Sequence, residues 1–405
     1  MRTGNRDLIK QINRSIILNL VRSRGPVSRT DIARLSGLSL ATVSGITGEL
    51  VEQGFAHETG EGESTGGRPP VLLMLNGRAG FVVGLKLTEE SIISVLTDLD
   101  ANVLQSSTTP VTAPQDVEAT LATIKAVIEA TLVQSGADRA KVMGIGIGMA
   151  GLVDSAAGVC RYSPFFHWRD VALAHPIEQH FRLPVFIEND VNALTIAEQW
   201  FGAAHGIDHF LVVTVGRGIG LGIVTNGRFY RGASGGAGEF GHITLDENGP
   251  RCDCGKRGCL EAIASDPAVV RMVADSAAAG GRPPGQWTFA EVVAAGQRGD
   301  PAALAGLQRS GAAIGLGMAH LVNIFNPQMI VLAGEGLRAG DARLAPMRDV
   351  MQHHVFNGLA QDVQLIIEPA GDETWARGAA CVVLGELFKH PIHRDERASE
   401  LYTMA

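Results

Sequence analysis

The sequence lacks the features of membrane-embedded, exported and disulfide-stabilised proteins. No run approaches the ~20 consecutive apolar residues that a membrane-spanning helix needs, so we expect no membrane partner. The opening stretch, MRTGNRDLIKQINRS, has no apolar core of the kind found in secretory signals. Cysteine is scarce, with five residues, of which three fall close together. An odd and clustered set favours metal ligation in a reducing compartment over disulfides, which predicts a cytoplasmic protein.

The sequence does have length, apolar residues and an uneven distribution of charge. Its 405 residues, 45% of them hydrophobic, predict two or three domains with sizeable cores. The net charge is −8, yet the first 80 residues carry ten Lys and Arg against seven Asp and Glu. A basic start on an acidic body suits a nucleic-acid-binding module joined to a domain of another kind, although a solvated helix face would look similar.

Residues 1–75 have the pattern of a winged helix-turn-helix. Apolar residues at helical spacing predict a first helix that ends at Gly25-Pro26. Ser28 and Ser39 are placed to cap a second and a third helix. The expected inner faces are Ile32, Ala33 and Leu35 in the second helix, and Val43, Ile46 and Leu50 in the third. Two short apolar runs, 55–57 and 71–75, flank a Gly-rich loop and predict a β-hairpin wing.

In this arrangement the third helix would lie in the major groove of double-stranded operator DNA. The predicted base-facing residues are Ser39, Thr42, Ser44 and Thr47. Candidates for phosphate contacts are Arg14, Arg22, Arg24, Arg29 and Arg34. In the wing, Arg68 is held in an extended loop by prolines and could enter a minor groove. The alternative is a small helical protein-interaction domain.

From about residue 80 the chain alternates apolar strands with helical segments, which predicts an α/β domain. The expected strands cover 81–87, 92–97, 142–147, 185–187, 210–215, 221–224 and 329–333, with a long helix over 311–325. Several of these strands end in glycine-rich turns, and such strand ends commonly hold ligands.

The most specific pattern in the chain is a set of metal ligands. Its members are His242, Cys252, Cys254 and Cys259. Three thiolates and one imidazole satisfy tetrahedral Zn²⁺ without leaving an open position, so we predict a closed, structural site. The alternative is a set of ordinary buried cysteines. Cys160 and Cys381 are isolated, and for them burial in a core is the better prediction.

Two groups of polar residues are candidates for ligand contacts. Asn189 and Asp190 follow an apolar strand and begin a helix. Asp190 is either a helix N-cap or a group that hydrogen-bonds sugar hydroxyls and could act as a general base. Glu239 and Glu261 flank the candidate metal ligands. A bound metal would aim both carboxylates into one cavity, whereas without it they would be surface charges.

Together these motifs resemble the ROK family (repressor, open reading frame, kinase), and specifically its repressor branch. The resemblance rests on Ser36–Ser39 with Thr42–Ser44, Gly66–Pro69, Gly146–Gly148, Glu188–Ala193, Gly216–Gly220, Gly238–His242 and Cys252–Glu261. It implies an actin-like, ribonuclease-H-like fold of two lobes, at 76–190 and 191–405, with the zinc site and a dimerisation surface in the second. It implies sugar contacts from Asn189, Asp190, Glu239, His242 and Glu261, with His242 also ligating zinc.

The sequence departs from the kinase members of this family where they hold ATP phosphates. Those members carry an Asp and a Gly-Gly-Thr run on the first strand and turn, whereas here Lys86 replaces the acid and the glycines are missing. In a second phosphate turn Arg217 replaces the usual Thr, while Asp190 keeps the position of the base. This favours a sugar-responsive repressor, dimeric or tetrameric and without kinase activity. The alternative is an ATP-dependent sugar kinase with an accessory DNA-binding domain.

Overall fold

The computed structural model describes residues 6–62, 69–233, 235–279, 287–368 and 371–389. The chain divides into two compact units, one formed by residues up to Ala193 together with those from Trp375 onward, the other by Leu194–Thr374. The sequence-based division assigned everything from residue 191 to a second lobe, whereas the last helix groups with the first unit. Among the described residues, no helix is both long and apolar enough to cross a membrane.

The N-terminal module combines three helices with a three-stranded sheet. Its elements are α1 (Arg6–Arg24), β1 (Val27–Ser28), α2 (Arg29–Ser36), α3 (Leu40–Glu52), β2 (Ala56–Glu61) and β3 (Val71–Leu75). Strands β2 and β3 form an antiparallel hairpin, and β1 pairs with the other edge of β3. Both predicted caps are present, because Ser28 accepts a hydrogen bond from the Asp31 N–H and Ser39 from the Thr42 N–H. The winged helix-turn-helix is confirmed.

The inner faces of α2 and α3 differ in how well they follow the predicted pattern. Val43, Ile46 and Leu50 of α3 are buried, as expected. In α2 Ile32 is buried, but Leu35 is 47% exposed and was wrongly predicted to face inward. Helix α2 has only eight residues and ends at Gly37, so it buries a narrow stripe and leaves its last turn in solvent.

The rest of the first unit is built on a five-stranded sheet in the order β11-β7-β4-β5-β6. Strands β4, β5 and β6 are antiparallel neighbours, and β7 and β11 add in parallel beside β4. A smaller sheet is formed by β8, β9 and β10. The elements are β4 (Phe81–Leu87), β5 (Ser91–Asp98), β6 (Val103–Pro110), α4 (Val117–Ser135), β7 (Val142–Met149), β8 (Leu152–Asp154), β9 (Val159–Ser163), β10 (Trp168–Ala172), α5 (Ala174–Phe181), β11 (Val185–Asn189) and α6 (Asp190–Phe201).

The second unit repeats this plan with a sheet in the order β14-β13-β12-β15-β16. Strands β12, β13 and β14 are antiparallel, and β15 and β16 add in parallel beside β12. The elements are β12 (Phe210–Val215), β13 (Ile219–Thr225), β14 (Arg228–Phe229), α7 (Leu260–Ala264), α8 (Asp266–Ala279), α9 (Phe289–Gln297), α10 (Pro301–Phe325), β15 (Met329–Ala333), α11 (Asp341–His354), α12 (Leu359–Asp362) and β16 (Gln364–Glu368). The last helix, α13 (Asp372–Phe388), follows β16 in the chain and lies mainly in the first unit. Two sheets of matching connectivity confirm the predicted actin-like architecture.

Helix α13 belongs with the first unit because its backbone lies directly on that unit's sheet. A Cβ atom added at Gly84 of β4 would overlap the carbonyl oxygen of Ala376, and one at Gly146 of β7 would overlap that of Ala379. Only glycine allows this close approach, so the two strands and the helix form one layered core. Cys160 and Cys381 are fully buried, as predicted.

Candidate DNA, metal and sugar sites

Helix α3 presents small polar residues to solvent. Ser39 and Ser44 are exposed and Thr42 is half-buried. The hydroxyl oxygens of Ser39 and Thr42 lie 2.8 Å apart, so the helix cap also orients the first candidate base contacts. Open space surrounds Gly45 and Gly48 on the same helix, which lets its backbone come close to another surface. Three of the four predicted base-facing residues are therefore accessible.

Thr47 is the exception, since it is fully buried. Its hydroxyl donates to the Val43 carbonyl at 2.8 Å and accepts from Arg29 Nε at 3.0 Å. The Arg29 guanidinium also pairs with Glu58 of the wing at 3.0 Å. Thr47 thus cannot face a base edge in this conformation, and instead it orients Arg29 between α2, α3 and the wing.

Two of the candidate phosphate contacts in α1 are turned into the protein. Arg14 is 9% exposed, and its guanidinium donates to Gln53 at 2.6 Å. Arg22 stacks on the ring of Phe388, with 4.9 Å between its Cζ and the ring centroid, and burial lowers its pKa to about 10. These two residues are better explained as packing groups of α1. Arg68, with Gly66 and Gly67, lies outside the described residues.

The four predicted metal ligands converge in the second unit. The ligand atoms of His242, Cys252, Cys254 and Cys259 all lie within 4.8 Å of one another. The Cys254 and Cys259 sulfurs are 3.6 Å apart, and Cys252 Sγ is 3.6 Å from His242 Nδ1. Zn–S bonds of about 2.3 Å in a tetrahedron place the sulfurs about 3.8 Å apart, so this donor set fits Zn²⁺.

The environment of two of the three thiols, Cys252 and Cys259, disfavours their ionised form. Burial raises the pKa of Cys252 to about 12 and raises that of Cys259. Because metal ligation requires thiolates, a divalent ion would supply the positive charge that favours their deprotonated form.

The two ring nitrogens of His242 face different partners. Nδ1 points to the cysteine cluster, while Nε2 lies 3.8 Å from a carboxylate oxygen of Glu239. Ligation through Nδ1 would leave Nε2 as a donor beside Glu239, whose side chain is 58% exposed. A metal-bound His242 would therefore offer a hydrogen-bond donor, and the accessible Glu239 carboxylate an acceptor, to the same hydroxyl group.

Glu261 occupies a cavity made by two glycines. Its Oε2 accepts a hydrogen bond from the Ile219 N–H at 3.0 Å. A Cβ atom at Gly218 would lie 2.8 Å from that oxygen, and one at Gly241 would lie 3.2 Å from it. The carboxylate is thus held by β13 rather than standing on the surface.

In the first unit, a buried carboxylate organises Asn189 and Asp190. Glu188 is 1% exposed and accepts hydrogen bonds from the Asn189 N–H, Asn192 Nδ2 and Ser155 Oγ, at 2.9–3.1 Å. The Asn189 side chain accepts from the Val191 and Asn192 N–H groups. Asn189 therefore caps α6, a role that the sequence analysis considered only for Asp190. Glu188 was missed, although a Glu in an otherwise apolar strand is a signal for a structural carboxylate.

Asp190 forms an ion pair with Lys86 at the end of β4. The side chains are 13% and 11% exposed, and Lys86 Nζ meets Asp190 Oδ2. The other carboxylate oxygen accepts from the Val191 N–H at 3.0 Å. Lys86 therefore faces the position that kinase members use as a base, which the substitution pattern alone did not reveal.

The turn between β12 and β13 is occupied by a carboxylate from the same unit. Glu335 Oε1 accepts a hydrogen bond from the Arg217 N–H at 2.9 Å and lies against Gly216, where a side chain would clash with it. The turn borders a cavity of about 450 Å³ lined by Arg217, Asp266, Pro267, Val270, Arg271, Phe289 and Glu335. Backbone N–H groups of such turns are anion sites, and here Glu335 supplies the anion.

Comparisons with known proteins identify the family to which the chain belongs. The ROK family matches residues 82–386, and the IclR helix-turn-helix domain matches residues 16–60. The xylose repressor of Bacillus subtilis is 30% identical over 391 residues, covering 95% of this chain and 98% of the relative. The Escherichia coli DNA-binding transcriptional dual regulator NagC is 34% identical over 338 residues, covering 82% of each.

Solved structures similar to this chain include a regulator and a kinase. A ROK family transcriptional regulator, a homologue of E. coli MLC protein, has 30% identity and a TM-score of 0.84, covering 98% of this chain and 99% of its own. The ROK family glucokinase of Streptomyces griseus, in complex with glucose and AMPPNP, has 28% identity and a TM-score of 0.66. It covers 75% of this chain and 99% of its own, so a quarter of the chain has no counterpart in that kinase.

Proposed function

The chain belongs to the ROK family, and on that premise we propose that it is a sugar-responsive transcriptional repressor of carbohydrate-utilisation genes. The main support for this proposal is that one chain contains both a helix-turn-helix and a ROK domain. A ligand-responsive repressor requires both parts, whereas phosphoryl transfer requires no DNA-binding module. We place it in the cytoplasm as a homodimer or homotetramer, with recognition helices on half-sites about one helical turn apart, or a multiple of it.

The proposed DNA contacts combine α3 with its neighbours. Ser39, Thr42 and Ser44 face the bases, Arg29 contacts a phosphate, and Arg68 of the wing enters the minor groove. The accessibility of the three α3 side chains supports this division. Thr47 contributes by orienting Arg29, and a base contact from it is not proposed further.

The proposed effector is a free sugar bound through its hydroxyl groups. The proposed contacts are Asn189, Asp190, Glu239, His242 and Glu261. Carboxylates, an amide and an imidazole together supply the donors and acceptors that hydroxyl groups need. The repressor relatives are named for xylose and N-acetylglucosamine, which supports a monosaccharide as the ligand class.

We propose that His242, Cys252, Cys254 and Cys259 would hold a structural Zn²⁺, which would keep Glu239 and Glu261 in place. Ligation of His242 Nδ1 would fix the direction of Nε2 and Glu239, and the neighbouring α7 begins at Leu260, one residue before Glu261. The ion takes no part in a reaction in this proposal.

We propose that the chain has no sugar kinase activity, because a cation occupies the base position and a carboxylate occupies the second phosphate turn. Lys86 pairs with Asp190, the position of the base, so that carboxylate is held by a cation instead of facing a substrate proton. Glu335 fills the anion site of the second turn and would repel a phosphate. The retention of Asp190 and the structural similarity to the glucokinase favour a kinase.

Isothermal titration of the zinc-loaded protein against D-xylose, D-glucose, N-acetylglucosamine and their phosphates, with and without ATP, tests the proposal. We expect one free sugar to bind saturably, with no heat that depends on ATP. Glu239→Gln should weaken binding at least tenfold, whereas Glu247→Gln, a change of the same chemistry on a nearby exposed residue, should not. Turnover heat with ATP that disappears in Asp190→Asn would establish the kinase instead.

A further inference from the structure

Lys86 contacts Asp190, a proposed sugar-binding residue, and also helix α13, which reaches the DNA-binding module. We propose that Lys86 is a positioning residue of the sugar site, and that it couples Asp190 through α13 to helix α1. The functional role of this coupling rests on the proposed function. The contacts from which the coupling is inferred all lie within the first unit.

At the sugar end, Lys86 is held between an anion and an aromatic ring. Its ammonium pairs with Asp190 on one side and lies 5.0 Å from the ring centroid of Trp375, near the start of α13, on the other. A buried cation between a carboxylate and an aromatic face is attracted by both. A sugar hydroxyl that engages Asp190 competes with Lys86 for the same carboxylate, and so changes the contact with Trp375.

Between its ends, α13 is fixed to the sheet along its length. Gly84 and Gly146 let its backbone rest on β4 and β7 without intervening side chains. Arg377 Nε also donates to the Ala101 carbonyl at 2.8 Å. A helix held in this way moves as one body, and from Trp375 to Phe388 it extends about 20 Å.

At the far end, α1 of the DNA-binding module is bonded to the last turn of α13. Asn19 Nδ2 donates to the Phe388 carbonyl at 2.5 Å, and Ser15 Oγ approaches the Phe388 and Lys389 carbonyls at 3.5 and 3.3 Å. The Arg22 guanidinium covers the Phe388 ring. The final carbonyls of a helix lack partners within it, and here α1 supplies them. A shift of α13 is therefore passed to α1.

Hydrogen–deuterium exchange on the full-length protein, without sugar or DNA, tests this coupling. We expect Lys86→Met to accelerate exchange in α1 and in the last turns of α13 at least tenfold. Lys86→Arg keeps the cation and should preserve wild-type exchange. Lys86→Met leaves the Asp190 carboxylate without its cation. The double variant Lys86→Met/Asp190→Asn removes that charge but does not restore the link from residue 190 to α13, so its α1 should still exchange faster than in the wild type.

Val127→Ala is the matched control, because it opens the core of the same unit beneath α4 and leaves α13 untouched. Unchanged exchange of α1 in Lys86→Met would overturn the proposal. So would an equal acceleration in Val127→Ala, which indicates general loosening, or wild-type exchange in the double variant, which indicates a charge effect alone. Because no sugar is present, a failure of sugar binding in the titration would count against the proposed function and not against this coupling.

Discussion

The two units hold their proposed sugar-binding residues in place by different physical means. In the first, hydrogen bonds to one buried carboxylate, Glu188, fix the end of β11 and the start of α6. In the second, His242 belongs to a cluster of one imidazole and three thiols, and its Nε2 lies 3.8 Å from a carboxylate oxygen of Glu239. The described residues between 230 and 259 form little regular structure, and a metal can replace the core that such a segment lacks. The comparison predicts that metal loss damages one unit, whereas loss of Glu188 damages the other.

The largest expected effect is that of zinc removal. Structural zinc in small domains contributes on the order of 10 kcal/mol to folding, so a chelator should unfold the segment around Cys252 and abolish sugar binding. The winged helix-turn-helix should keep its exchange protection, because it shares no residues with the cluster. Hydrogen–deuterium exchange with and without chelator measures this, and chelator already saturated with zinc is the control. Equal loss of protection in both units would show that the metal is not local to the second.

The next effect is that of Glu188→Ala. Removing a buried carboxylate leaves three donors without their acceptor, which should lower the free energy of unfolding by about 3 kcal/mol. Urea denaturation followed by circular dichroism measures the change, and Glu129→Ala on an exposed face of α4 is the control. A loss no larger than that of the control would mean that water replaces the carboxylate.

A smaller effect is expected from Ser39→Ala in the recognition helix. The variant loses the cap bond to the Thr42 N–H and should cost about 1 kcal/mol, with a further loss of DNA affinity. Ser23→Ala, an exposed serine of α1, is matched in chemistry and should change neither quantity. Thermal denaturation and DNA-binding titration check the two parts separately. Unaltered DNA affinity in Ser39→Ala would remove this residue from the interface.

The smallest effect is expected from Glu335→Ala, which removes the carboxylate that lies against the turn after β12. We predict no ATP-dependent sugar phosphorylation in this variant, because Lys86 still holds Asp190. A coupled assay for ADP release measures activity, with wild-type protein beside it. Appearance of sugar-dependent turnover would show that Glu335 alone separates this chain from a kinase.

Local sequence patterns predicted several helix caps, buried faces and strands correctly. The caps at Ser28 and Ser39, the buried face of α3 and the strand at 329–333 follow from spacing and chain chemistry, and the structure has them. The convergence of His242, Cys252, Cys254 and Cys259 was also predictable, because the spacing Cys-x-Cys-x₄-Cys is typical of a metal site.

Contacts between distant elements were not predictable in the same way. Nothing in the sequence near Arg22 indicates that Phe388 will cover it, or that Glu335 will reach the Arg217 N–H. Thr47 and Leu35 were misplaced for a related reason: helical periodicity does not show which neighbour a short helix meets. The proposed role of Lys86 likewise depends on Trp375, which lies 289 residues further along the chain.

The central claim is that one chain binds DNA and changes its affinity when a sugar binds. The most direct test is fluorescence anisotropy of the zinc-loaded protein on labelled duplexes selected by it from a random-sequence library, with and without saturating sugars from the titration panel. We expect salt-dependent, sequence-specific binding that one free sugar shifts at least fivefold, with no shift in Glu239→Gln. Specific DNA binding that no sugar alters would contradict the sensing role, and absence of specific binding would contradict the repressor itself.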